Sequence, residues 1–243
     1  MKISKLIFLF FVFWISTWTT GRAEDVQIQT RDGIRLVGTL DMVPQSKGAV
    51  ILVHMLNHDR KDWTSFSHFL NQNGWDTLSI DLRGHGQSKG TDEQKLDWQE
   101  FSKEDFRKMT EDLDAAFQFL KTKEKPAPSH LFMVGASIGA NLSLEYASKN
   151  PEISGVVLLS PGVDYRGVRP KQAAMEYKDR PVLLIASQED TFSVSSSDFL
   201  YQLIPAEKKE IIKLQAKGHG TDMLGNDLEL KEKILAFLSK QSS

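Results

Sequence analysis

The sequence predicts an α/β fold in which a mostly parallel sheet, covered by helices on both faces, follows an antiparallel hairpin. From residue 48 onward, apolar runs of strand length alternate with stretches whose apolar residues recur at helical spacing. The runs 48–54 and 131–134 are continuously apolar, which is typical of strands buried on both faces. Near the start, Asp32-Gly33 separates two shorter strand patterns, a strong signal for a hairpin turn.

The elements follow one another without a repeat, a low-complexity tract or a linker, so residues 24–243 are interpreted as one domain. Alternating strands and helices of this kind build a doubly wound parallel sheet, and such sheets bind ligands at the carboxyl ends of their strands. The predicted strands are 26–30, 34–40, 48–54, 75–82, 131–134, 153–160, 181–187 and 210–214. The predicted helices are 62–73, 103–121, a helix following residue 137, 170–178, 194–203 and 228–238.

Composition limits the classes of partner. The chain has 243 residues, of which 40% are hydrophobic, and this is enough for a sizeable core. Its formal net charge of −2 is close to neutral, so we expect no nucleic-acid partner. It contains no cysteine, and the domain therefore relies on its core rather than on disulfides. Composition indicates no particular oligomeric state.

Residues 1–23 have the pattern of a bacterial secretory signal peptide. Lys2 and Lys5 precede an unbroken apolar run at 6–15, and Gly21-Arg22-Ala23 offers small residues at the −3 and −1 positions. We expect cleavage after Ala23, export to the periplasm or the medium, and no stable membrane span afterwards. The alternative is an uncleaved membrane anchor, for which the apolar run is short.

The stretch that organises the chain is Gly135-Ala-Ser-Ile-Gly139, where an apolar run meets an amphipathic pattern. A sharp turn between a strand and a helix exposes a serine hydroxyl above the sheet edge, which a serine nucleophile requires. Glycines at both ends permit strand and helix to approach closely. The alternative is a glycine-rich turn that carries a bystander serine at Ser137.

A serine nucleophile in this architecture is followed along the chain by an acid and then by a histidine. His219 is the sole histidine after Ser137, and its flanking glycines suit a loop above the strand ends. Asp190, just past the strand 181–187, is the first candidate for the acid. Asp164 and Glu189 are the alternatives.

Two backbone N–H groups are candidates for an oxyanion hole. The N–H of Ile138 lies at a helix N-terminus, which favours negative charge. The second donor should come from the loop after the strand ending at His54, with Leu56 as first choice and Met55 as the alternative. His54 and His58 have the spacing of helical metal ligands, but they lie at a strand end and loop, so we predict no metal and no cofactor.

Six motifs occur in order along the chain: Val53-His54, Asp81-Leu-Arg-Gly-His-Gly-Gln-Ser88, Gly135-Ala-Ser-Ile-Gly139, Ser160-Pro-Gly162, Pro181 to Asp190 and Gly218-His-Gly220. Taken together, these motifs resemble the α/β-hydrolase superfamily, particularly its small bacterial serine hydrolases and esterases. The resemblance covers residues 25–241 and implies Ser137 as nucleophile, Asp190 as acid and His219 as base, with acyl-enzyme chemistry and water as the usual acceptor. One departure is Met55, where the family commonly has glycine.

Many relatives insert a helical cap after the strand at 153–160. Here about twenty residues intervene before the next strand, too few for a full cap. We therefore predict an open cleft. Together with the motifs and the signal peptide, this favours an exported carboxylic-ester hydrolase acting on a small-molecule or acyl substrate. The alternatives are an acyltransferase or peptidase with the same triad, and a non-catalytic binding protein of the same fold.

Overall fold

The computed structural model describes residues 23–91, 95–123, 128–225 and 227–240. Within this part of the chain eight strands form one sheet: β1 (Glu24–Gln29), β2 (Arg35–Asp41), β3 (Ala49–Val53), β4 (Asp76–Ile80), β5 (Leu131–Ala136), β6 (Gly155–Leu159), β7 (Val182–Ser187) and β8 (Lys209–Leu214). Their spatial order is β1-β2-β4-β3-β5-β6-β7-β8. The strands from β3 onward are parallel, whereas β2 pairs antiparallel with both β1 and β4. The predicted fold class is confirmed.

Helices cover both faces of this sheet because its central strands are apolar on both sides. In β3, Ala49, Ile51 and Val53 belong to one buried cluster, whereas Val50 and Leu52 belong to the other. The first cluster also receives α2 (Lys103–Lys108), α3 (Thr110–Lys123), α4 (Ile138–Lys149), α5 (Lys171–Glu176) and α6 (Thr191–Leu203). The second receives α1 (Thr64–Gln72) and α7 (Leu228–Lys240).

Two helices differ from the sequence-based expectation. The helix predicted at 103–121 is divided into α2 and α3 at Met109, whose N–H bonds the carbonyl of Phe106 three residues earlier. The helix predicted from 194 begins at Thr191, because the Asp190 side chain accepts a hydrogen bond from the backbone N–H of Ser193 and caps it.

The connection from β6 to β7 is short, as expected. All of residues 160–181 are described, and the one helix among them is the six-residue α5. The carboxyl ends of β5, β6 and β7 therefore lie beneath short loops rather than beneath a separate cap.

The predicted signal peptide, residues 1–23, lies outside the described residues except for Ala23. Within the described ranges, no helix has the length and apolar character needed to cross a membrane.

The motif that follows β4 holds the loops near the sheet edge in place. The Asp81 carboxylate is fully buried and accepts hydrogen bonds from the Arg60 backbone and guanidinium at 2.8 and 2.6 Å. It also accepts one from the Gln87 backbone at 2.7 Å. A Cβ on Gly86 would stand 2.3 Å from this carboxylate, so glycine is required there. Charge-assisted bonds of this kind fix the turn at Arg60, which follows the β3 loop.

Candidate active site

Ser137 lies at the turn between β5 and α4, in a conformation that few residues other than glycine adopt. Its φ is 55° and its ψ is −119°. Holding a residue there costs about 1–3 kcal/mol, and such strain is concentrated at functional sites. A Cβ on Gly135 would meet the Gly139 carbonyl oxygen at 2.3 Å, and a Cβ on Gly139 would meet the Val53 oxygen at 2.4 Å. The two glycines therefore permit the close packing that the turn requires.

The structure brings Asp190 and His219 together. Asp190 Oδ2 lies 2.5 Å from His219 Nδ1, while Asp190 Oδ1 accepts the Ser193 backbone N–H at 3.1 Å. Burial opposes ionisation of Asp190, but hydrogen bonds from Ser193 and His219 outweigh it and hold its pKa below the usual range. Asp190 is therefore a carboxylate at neutral pH, placed to accept a hydrogen bond from the Nδ1–H of His219, so that Nε2 of the neutral ring carries the free lone pair.

The two alternative acids have other partners. Asp164 pairs with the Arg169 guanidinium at 2.5 Å and accepts the Gly167 N–H at 2.7 Å. Glu189 accepts the Gly218 N–H at 2.5 Å, and so supports the loop that carries His219. Neither carboxylate bonds the His219 ring, which leaves Asp190 as the acid in contact with the imidazole.

The two predicted oxyanion donors lie in one cleft with Ser137. Leu56, Ile138 and Ser137 all line it. Because Gly139 has no Cβ, the start of α4 lies against the Val53 and His54 carbonyls, directly beside this loop. Within the described chain, neither the Leu56 N–H nor the Ile138 N–H has a hydrogen-bond acceptor. Both are therefore available to an oxygen atom of a bound ligand.

His54 holds the loop that follows β3 in place. Its Nε2 accepts the Leu82 N–H at 3.0 Å, so its Nδ1 carries the proton and donates to the Met55 carbonyl at 2.7 Å. Complete burial lowers the pKa of His54 to about 4, and the ring is neutral at physiological pH. His58, by contrast, pairs with Asp62 at 2.6 Å and lines the cleft.

Met55, the departure from the family pattern, points toward the loop of His219. Its side chain is buried, and its sulfur lies 2.7 Å from where a Cβ on Gly220 would stand. The Thr221 hydroxyl also contacts this sulfur, at 3.8 Å. Met55 therefore fills the space between the loop after β3 and the loop of His219. It is also one of the residues that line the cleft.

Tyr165 is a site residue that sequence reasoning missed. Its hydroxyl donates to the Ser160 carbonyl at 3.2 Å and lies 3.2 Å from the Ser193 hydroxyl. The Ser137 hydroxyl lies near the same oxygen; burial raises the pKa of Tyr165 above its usual value, although the neighbouring hydroxyls of Ser193 and Ser137 act to lower it. No local signal marked Tyr165, because its position depends on the path of the loop after β6.

Tyr165 is held over the site by a two-residue hairpin. Tyr165 and Val168 exchange backbone hydrogen bonds of 3.1 and 2.9 Å around Arg166 (φ 55°) and Gly167 (φ 90°), which is the geometry of a type I′ turn. The Asn141 amide, on α4, donates to the Val168 carbonyl at 3.1 Å. This hairpin occupies the place where a longer insertion would form a cap.

The cleft has a volume of about 390 Å³. A neighbouring, more polar cavity of about 550 Å³ shares His58 with it and contains Trp98, on which the His85 ring stacks. The cleft is lined by Met55, Leu56, His58, Ser137, Ile138, Asp164, Tyr165, Arg166, His219 and Asp222.

An eight-stranded, mostly parallel sheet with a strained serine between β5 and α4 defines the protein as an α/β hydrolase. A family model described as serine aminopeptidase, S33, matches residues 44–179, more than half of the chain. The chain therefore belongs to this family. The matched segment includes Ser137 and ends before Asp190.

Other similarities are more distant. Polyketide transferase ATR5 of Stachybotrys chlorohalonatus is 26% identical over 152 residues, which are 62% of this chain and 48% of that protein. The chain thus spans about half the length of this curated relative.

Solved structures share the fold at low identity. The Pyrococcus furiosus esterase Pf2001 superposes with a TM-score of 0.76 at 22% identity, covering 96% of this chain and 97% of that one. The α/β hydrolase GrgF from Penicillium gives a TM-score of 0.78 at 16% identity, covering 91% and 99%. A dienelactone hydrolase from Anabaena variabilis gives 0.70 at 21% identity, covering 90% and 96%.

Proposed function

We propose that the protein is a serine hydrolase that cleaves carboxylic esters through an acyl-enzyme intermediate, with Ser137 as nucleophile, His219 as base and Asp190 as the orienting acid. The observation that carries the proposal is the contact of 2.5 Å between Asp190 Oδ2 and His219 Nδ1, in a cleft that also contains the strained Ser137. The three roles need these residue types in this arrangement.

The proposed reaction gives each of these groups one role. His219 Nε2 takes the hydroxyl proton as Ser137 Oγ attacks the ester carbonyl, and the resulting imidazolium is stabilised by Asp190. The carbonyl oxygen, now negatively charged, accepts hydrogen bonds from the N–H groups of Leu56 and Ile138. His219 then gives its proton to the leaving alcohol. Water, activated by the same imidazole, attacks the acyl group and restores the Ser137 hydroxyl.

A fluorophosphonate probe tests the proposal because it reacts with activated serines whatever the natural substrate. We expect labelling at Ser137, mapped by peptide mass spectrometry, and turnover of short-chain aryl esters. Both should be lost in Ser137→Ala and kept in Ser148→Ala, whose hydroxyl bonds a carbonyl of its own helix, α4. A folded protein that neither labels nor turns over an ester would instead be a binding protein of this fold.

Acyl transfer and peptide hydrolysis are second candidates. The family description favours a peptidase, and the similarity to a polyketide transferase favours transfer to an acceptor other than water. All three reactions use the same acyl-enzyme. Products formed from one ester in the presence of competing alcohols and amines, together with assays on aminoacyl amides, distinguish them.

We also propose that the chain is exported and that its mature form begins at Glu24. Support comes from the sheet, whose first strand begins at Glu24, immediately after the predicted cleavage site. N-terminal sequencing of the protein purified from cell envelope and medium tests this. Retention of residues 1–23 on an envelope-bound protein would favour the anchor.

A further inference from the structure

Exposed large apolar side chains are concentrated in one segment of the chain, between the end of β6 and the end of α6. Among the described residues, five large apolar side chains are exposed, and four of them lie between residues 163 and 199. Clustered apolar exposure marks binding surfaces more often than isolated exposed residues do. The five are Val163, Met175, Phe192, Phe199 and, apart from the others on α7, Leu228.

Three of these side chains form a line along α6. Phe192 and Phe199 are seven residues apart and therefore lie on the same face of the helix. The Val163 N–H donates at 3.2 Å to the hydroxyl of Ser196, which is buried on the adjoining side of the helix, so Val163 lies along the edge of that face. We call Phe192, Val163 and Phe199 the apolar stripe. The helical rise makes it about 10 Å long.

The apolar stripe begins where the wall of the cleft ends. The rings of Tyr165 and Phe192 meet edge to face with centroids 5.6 Å apart, and the Tyr165 ring meets that of His219 at 6.2 Å. A Cβ on Gly162 would stand 2.5 Å from Tyr165 and 2.9 Å from Phe192, so the loop beneath them is closely packed. An apolar path thus leads from the cleft over Tyr165 and onto the apolar stripe.

The surroundings favour a single extended chain as the occupant. Ion pairs flank the apolar stripe: Asp164 with Arg169 next to Val163, and Asp198 with Lys213 next to Phe199. A stable contact between two proteins buries about 800 Å² on each partner, far more than three side chains supply. Each of these ion pairs joins one acidic and one basic side chain, so they do not supply the excess of basic groups that attracts a protein to a membrane surface.

We propose that the apolar stripe binds an apolar chain of the ester substrate that extends from the cleft. This inference rests on the proposed ester hydrolysis. The chain belongs either to the acyl part or to the alcohol part of the ester, and two substrate series separate these cases. Each methylene that lies on the stripe should raise kcat/KM roughly twofold, about half of the effect of full burial.

The test compares long-chain with short-chain esters in the full-length protein. One series lengthens the acyl group of p-nitrophenyl esters from acetate to decanoate; the other lengthens the alcohol of alkyl acetates. The variants are Phe192→Ser and Phe199→Ser, and Leu228→Ser is the control because it removes an exposed apolar side chain from α7, which packs on the opposite face of the sheet. Phe199→Ser is informative even if Phe192→Ser disturbs Tyr165.

The inference predicts that both stripe variants lower the long-to-short ratio of kcat/KM at least fivefold in one of the two series, while Leu228→Ser keeps the wild-type ratio. An unchanged ratio in both series overturns it. So does a stripe variant that alters only the oligomeric state in light scattering or only the binding to lipid vesicles.

Calorimetric titration with decanoate gives a readout that does not require turnover. If no ester is hydrolysed but Phe199→Ser weakens decanoate binding severalfold, the apolar stripe is supported as a binding surface for an apolar chain and the proposed ester hydrolysis is wrong. If esters are hydrolysed and neither the ratios nor the binding change, the proposed function stands and the stripe fails.

Discussion

Asp190 serves two neighbours with its two oxygens. Oδ2 contacts His219 Nδ1 at 2.5 Å, and Oδ1 caps α6 through the Ser193 N–H at 3.1 Å. The same carboxylate therefore orients the imidazole and begins the helix that carries the apolar stripe. These two roles separate experimentally, because an asparagine side chain retains one acceptor oxygen but presents an N–H₂ donor in place of the other.

We predict that Asp190→Asn lowers kcat for a short aryl ester about 10³–10⁴-fold, because the amide favours the wrong tautomer of His219. The cap on α6 is retained, so the free energy of unfolding should change little. Asp190→Ala should lose activity similarly and also about 1 kcal/mol of stability, because the cap is removed. Kinetics and urea unfolding measure both. Full activity in Asp190→Asn would contradict the assignment of the acid.

A second prediction concerns Tyr165. Its proton is donated to the Ser160 carbonyl, so toward the nearby Ser137 hydroxyl the phenol oxygen is an acceptor, and we expect it to compete with His219 for the serine proton. Tyr165→Phe removes this competing acceptor. We expect fluorophosphonate labelling of Ser137 to become about two- to tenfold faster, in line with the net value of one hydrogen bond.

Tyr177→Phe is the control, since its buried hydroxyl bonds the Pro181 carbonyl at 3.1 Å. Both variants should lose about 1 kcal/mol of stability, but only Tyr165→Phe should alter the labelling rate. Slower labelling in Tyr165→Phe would show that the hydroxyl acts in the transition state rather than in the resting enzyme.

At the scale of elements, the site depends on how closely α4 approaches β3 and β5. We predict that Gly139→Ala lowers the free energy of unfolding by about 3 kcal/mol and abolishes labelling of Ser137. The added methyl would lie 2.4 Å from the Val53 oxygen, and backbone atoms cannot give way as a flexible side chain can.

Gly33→Ala is the matched control for this prediction. Unlike Gly139, Gly33 has a positive φ, 90°, and nothing lies within 4 Å of its would-be Cβ. The change should cost about 1–2 kcal/mol of backbone strain and leave labelling intact. Equal labelling in Gly139→Ala and Gly33→Ala would show that the close approach is not needed for activity.

The sequence was most informative about features that depend on local patterns and on the order of residues along the chain. Alternating apolar runs predicted the sheet, and the positions of His219 and Asp190 after Ser137 predicted side chains that the structure brings to one sheet edge. Tyr165 could not be predicted, because its place over the cleft is set by the distant Asn141 amide and by a two-residue turn. The division of the helix at Met109 was missed for a different reason: the helical spacing of apolar residues continues across the break.

At the scale of the whole molecule, two buried histidines make stability depend on pH. Burial lowers the pKa of His54 to about 4, and burial together with His54 lowers that of His85 to about 4. Unfolding exposes both rings and restores a value near 6.5, so the unfolded state binds more protons between about pH 6.5 and pH 4. Folding stability is therefore lost as pH falls through this window.

We predict that each buried histidine contributes about 2 kcal/mol of destabilisation at pH 5 relative to pH 7.5. His85→Phe, which preserves stacking on Trp98, should show a smaller loss between these pH values than the wild type does. The exposed His68→Gln should show the wild-type loss. Urea unfolding at the two pH values measures this, and an identical loss in His85→Phe and wild type would contradict it.

The contact between Met55 and Gly220 has a consequence for how this enzyme can be altered. The loop with a proposed oxyanion donor and the loop with the proposed base pack against each other. The Met55 thioether occupies the space between them, and it fits there because Gly220 has no Cβ. A larger residue at 220 would either displace the Met55 side chain or fit with a smaller residue at 55, so we expect the two loops to change as a pair. Loop grafting that exchanges one without the other therefore brings either a collision or a void to the base of the site.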